Sequence, residues 1–108
     1  MKKNKVWFLA LSKSFVSNIQ DAKRFGKIEE ILPSSALLTL TEGEIAGRLE
    51  DFAYTEWDKE DYIVLVGPAR YVFMLGAALG ANNFPRIKSL DWDKETKKYE
   101  RGELILWQ

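Results

Sequence analysis

The 108-residue chain contains no cysteine and no histidine. Without cysteine there is no disulfide framework and no thiolate nucleophile. Without histidine it lacks the commonest general acid–base, the commonest metal ligand and the usual pH switch. Cys/His zinc sites are excluded, and only a carboxylate-bound magnesium or calcium site stays open. There is also no excess charge: Lys+Arg and Asp+Glu are both 16. A nucleic-acid binder usually carries a basic surplus, because phosphate neutralisation supplies most of its non-specific affinity. Nucleic acid is therefore a possible partner but not the favoured one. Prolines number only 3, and no low-complexity segment, internal repeat or linker interrupts the chain.

What is present reads as one α/β domain over residues 1–108. Apolar residues make up 46% and charged residues 30%, ordinary values for a globular fold. Lys2-Lys3-Asn4-Lys5 followed by Val6–Leu11 mimics a signal peptide, but the apolar run is too short and reads as a first strand. Tyr62–Ala81 is long and apolar enough to suggest a membrane helix. Gly67-Pro68 and Arg70 interrupt it, so a buried strand followed by a buried helix is expected, with no membrane span. A cytoplasmic location fits the missing cysteine.

Strands and helices alternate. Val6–Leu11 is a central strand. The next helix carries a stripe of Phe15, Ile19 and Ala22, with Gly26 in the left-handed position past its end. Lys27–Leu32 is a charged edge strand, and Ala36–Leu40 is open between strand and helix. Thr41-Glu42-Gly43-Glu44 matches a capping box and opens a helix burying Ile45, Leu49, Phe52 and Ala53. Trp57-Asp58-Lys59-Glu60 reads as a polar connection. Tyr62–Val66 is the third strand, and Gly67-Pro68 turns it into a third helix reaching Asn82. Arg86–Trp92 and Lys98–Trp107 form a final antiparallel hairpin.

This order predicts a three-layer open sheet, mostly parallel, with strand order 2-1-3-4-5 and the antiparallel hairpin at the edge. In that topology one helix covers strands 1 and 2 on one face, which leaves strands 3, 4 and 5 bare there. Leu90, Trp92, Leu104, Ile105, Leu106 and Trp107 lie in the hairpin, so an apolar interface is expected, taken from Leu90, Trp92, Leu104, Leu106 and Trp107, and with it a homodimer. The competing expectation is that the hairpin curls back to close the core. The third helix is apolar all round, which marks burial on more than one side. Gly76 and Gly80 are expected to pack tightly on the sheet.

Three constellations bear on chemistry. Ser12, Lys13 and Ser14 with Gly67 and Arg70 converge at the strand ends where the sheet order reverses, a place for a phosphate-bearing ligand or nucleotide. Two ordinary capped helix starts explain the same residues. Asp91 and Asp93 share a strand face and suggest a magnesium-dependent nucleic-acid enzyme, whereas a turn-capping Asp93 is the plainer account. Lys94, Lys97, Lys98 and Arg101 beside Trp92 and Tyr99 could touch nucleic acid, but Glu95, Glu100 and Glu103 are interleaved. No cofactor is implied, and no catalytic residue is assigned.

Asp61–Gly67, the Ala/Gly-rich helix and Lys88-Ser89-Leu90-Asp91-Trp92-Asp93 running to Tyr99 resemble small α/β accessory proteins of phages and related mobile elements. The likeness covers the C-terminal half and brings no catalytic residues. It implies an accessory protein acting on a host or viral protein partner, in the host cytoplasm. The expected function is thus a non-enzymatic interaction or regulatory module, homodimeric, with an unknown protein partner.

Overall fold

The structure, a computed structural model, describes residues 4–11 and 19–108. Five strands form one sheet in the order β2-β1-β3-β4-β5, as the alternation predicts. They are β1 (Lys5–Ala10), β2 (Lys27–Leu32), β3 (Tyr62–Val64), β4 (Arg86–Asp93) and β5 (Lys98–Ile105). All neighbours pair in parallel except β4 and β5.

Side chains alternate across the central strands, so each strand feeds two cores. Trp7 and Leu9 of β1, Ile63 of β3 and Ile87 of β4 face one side. There they meet α3 (Glu42–Asp51), which continues as a π-helical turn over Phe52–Glu56, and α4 (Ala69–Ala81). Val6, Phe8, Tyr62, Val64 and Leu90 face the other side. That side is met by α1 (Ile19–Ala22) with its 3-10 extension Lys23–Phe25. Phe15 and the expected cap residues lie outside the described residues.

The segment left open between strand and helix forms α2 (Ser34–Thr39). The capping box is present: Glu44 N–H donates to Thr41 Oγ1 at 3.1 Å, and Thr41 N–H donates to Glu44 Oε1 at 3.0 Å. Trp57 departs from the polar connection expected for it. Its N–H donates to the carbonyl of Phe52, five residues back, at 2.9 Å. This wide turn brings both aromatic residues to one side, with ring centroids 6.1 Å apart, and buries Trp57.

Gly26 also differs. It is not left-handed helical but sits at φ 154°, ψ −175°, a region open essentially to glycine. The reason is close approach: a Cβ there would stand 2.4 Å from the carbonyl oxygen of Asn4.

The face expected to be bare over strands 3 to 5 is closed by the hairpin itself. β4 and β5 each run eight residues while β3 has three, and long twisted strands curl out of the sheet plane. The far end of the hairpin therefore comes to α1. Leu90 and Tyr99 are buried with Phe8 and Ala22, and Trp92 packs against them. The rings of Phe8 and Tyr99 meet edge to face at 6.3 Å, and those of Trp92 and Tyr99 at 5.0 Å.

Candidate functional site

The strand-end constellation is only partly brought together. Ser12, Lys13 and Ser14 lie outside the described residues. Gly67 does come to the end of β1, as the topology requires: at φ 137° it would place a Cβ 3.4 Å from Leu9 Cδ2. Arg70, however, donates to Glu42 at 3.1 Å, with both side chains largely exposed. This pair sets the starts of α3 and α4 side by side and engages the cation assigned to a phosphate.

Asp91 and Asp93 point to one face but do different things. Asp93 Oδ1 accepts the N–H groups of Glu95 and Thr96 at 2.8 and 3.4 Å. The first of these bonds holds its carboxyl below the usual carboxylate range. It is the cap of the hairpin turn, which Lys97 completes at φ 55°. Asp91 lies over Gly102, whose missing Cβ would stand 2.4 Å from Oδ2. Among the described residues no group of three or more Asp or Glu is arranged to hold a metal ion. The aromatic pair beside the hairpin lysines is occupied too, since Tyr99 is only 2% exposed and offers no open ring face for a base.

The five hairpin residues expected to form an interface separate. Leu90 is buried and Trp92 half-buried under α1. Leu104 and Leu106 pack on the opposite side, against the α4 core. Trp107 alone is exposed, at 47%. The contiguous apolar surface lies elsewhere, on the outer face of α4.

Leu75, Ala78 and Leu79 of α4 are buried. The helix therefore turns Phe73, Ala77 and Ala81, spaced four apart, outward as a ridge. A groove flanks each side of it. One, of about 680 Å³, runs between α4 and α3 and is walled by Ala46, Glu50 and Tyr54. The other runs between α4 and the end of the chain, walled by Gly76, Gly80, Leu106 and Trp107. Phe73 and Tyr54 are 79% and 81% exposed. The chain carries no charged residue between Arg70 and Arg86.

Gly76 and Gly80 do not press on the sheet as expected. A Cβ on Gly76 would meet nothing within 4 Å, and one on Gly80 would make ordinary contact with Leu106 and Trp107. Their small size thus clears the second groove. A uniformly apolar helix gives no polar face by which to tell inside from outside. Size does not separate them either, since Ala78 is buried beside Leu75 and Leu79 while Phe73 is exposed.

Among the described residues no helix is long and apolar enough to cross a membrane. A family model described as phage Pam3 gp32-like protein matches residues 12–105. The match extends the phage resemblance beyond the C-terminal half to most of the chain. No curated protein and no solved structure matches.

Proposed function

Since the chain belongs to the phage Pam3 gp32-like family, we propose that it is a phage accessory protein that works by binding protein rather than by catalysis. The observation that carries this reading is the outer face of α4. Phe73, Tyr54 and Trp107 are exposed around an uncharged ridge with a groove on each side. Large exposed apolar patches on a small protein mark interaction surfaces, and aromatic anchors dominate the energy of such contacts. The expected homodimer is retained in this reading, but its surface moves from the hairpin to α4.

A photo-crosslinking residue placed at Phe73 tests it in cells that express the gene. The control is the same residue at Leu38, which is exposed but lies on α2. Discrete protein adducts from position 73, absent from position 38, are the expected result. An absence of adducts at position 73 contradicts the reading.

A further inference from the structure

We infer that the occupant of the α4 face is a second copy of this chain, packed antiparallel about a two-fold axis at Ala77; the inference rests on the α4 face being a contact surface.

The outward row Phe73, Ala77, Ala81 is one large residue followed by two small ones. Reversing such a row about its middle sets Phe73 of each copy over Ala81 of the other, large against small at both ends. The receiving end is shaped for an aromatic ring. Tyr54 lines the α3-side groove together with Ala81, and Trp107 lines the other groove together with Gly80 and Ala81. The ring of an incoming Phe73 would thus land on a small residue between two exposed aromatic side chains.

Area also favours a second copy. The ridge itself has no charged residue, so its row can meet its own image directly, while the carboxylates Glu50 and Asp51 stand on the α3 wall of the groove beside it. An aromatic side chain buries roughly 150–250 Å², so the three exposed ones hold on the order of 400 Å² per copy. Two copies supply about 800 Å² from these residues alone, and the ridge and groove walls bring the pair to about 1,000 Å², the lower bound for a specific interface. The pairing is therefore expected to be weak and concentration-dependent.

The absence of cysteine makes single-cysteine crosslinking a clean test. Helices packed about 8–10 Å apart, with Cα atoms at a radius of about 2.3 Å, bring the two Ala77 Cα atoms within about 6 Å. That is disulfide range. Under mild oxidation A77C is expected to form a disulfide dimer. F73C alone is expected to stay uncrosslinked, because its two copies lie about 12 Å apart along the axis. F73C mixed with A81C is expected to give the mixed dimer. An L38C control should remain monomeric. The proposal is overturned if A77C links no faster than L38C, and its antiparallel sense is overturned if F73C links to itself. Adducts to a different protein from position 73, with no A77C dimer, overturn self-pairing while leaving the contact surface standing. Neither adducts nor dimer overturns both.

Discussion

The carboxylate of Asp21 accepts the backbone N–H of Tyr99 at 2.5 Å, and Arg24 donates to the carbonyl of the same residue. Two side chains of the α1 segment thus take up both backbone groups of one β5 residue, as a neighbouring strand would. They hold the far end of the hairpin over the second core and block that part of the sheet edge. The Tyr99 N–H, assisted by Arg24, holds the Asp21 carboxyl below its ordinary range. A carboxyl with a lowered folded pKa stabilises the fold above its unfolded value, near about 4, and loses that contribution as pH falls through the lower folded value. Near-ultraviolet circular dichroism should therefore show the Tyr99 and Trp92 environment loosening in acid, before global unfolding. Asp21→Asn should show the loosened signal already at neutral pH, with a flatter acid response. Identical pH profiles would contradict the lock.

Asp61 is expected to matter for the start of the sheet. It is buried and accepts the N–H of Lys5 at 2.9 Å and the indole N–H of Trp7 at 3.0 Å. Asp61→Ala strands two donors, each costing about 1–3 kcal/mol when left unpaired away from water. Urea unfolding followed by tryptophan fluorescence checks this, and an unchanged midpoint would contradict it.

Gly26→Ala should destabilise by about 1–3 kcal/mol through overpacking alone, because its Cβ would stand 2.4 Å from a backbone oxygen that cannot swing aside. Backbone strain at φ 154° adds to the cost. A loss under 0.5 kcal/mol in the same urea assay, roughly the size of a neutral surface change, would show that β1 and β2 do not approach so closely.

Gly76→Ala should do the opposite. The position is inside a helix and its Cβ meets nothing within 4 Å, so alanine is expected to stabilise by about 0.5–1 kcal/mol. The measurement belongs at low protein concentration, where pairing contributes nothing. Destabilisation would mean that the groove beside Gly76 is filled.

The strand order was legible because it rests on local signals: the unbroken apolar run of β1, the Gly67-Pro68 break, and the Thr41–Glu44 box. What stayed hidden depends on three-dimensional reach. The residue pattern leaves the curl of the hairpin open between two outcomes, because the contact of Tyr99 with Asp21 spans 78 residues of sequence and follows from strand twist. Trp57 looked like part of a polar connection because its burial needs a five-residue turn rather than a four-residue one. The candidate surface was half legible. The sequence groups Trp107 with Leu90, Trp92, Leu104 and Leu106, and of these Leu106 lines the same groove. The hairpin alternates, so Leu90 and Trp92 go under α1 while Leu104 and Leu106 go to α4.

Sedimentation velocity of the wild type and of Phe73→Ser, over a range of concentrations up to the millimolar, tests the working role of the α4 face most directly. The wild type should move from its 12.5 kDa monomer mass toward twice that value as concentration rises. Phe73→Ser should stay monomeric while melting at the same temperature, because the side chain is exposed and leaves no cavity. A wild type that remains monomeric throughout, or a variant that pairs as well as the wild type, would contradict the proposal that α4 is a self-pairing surface.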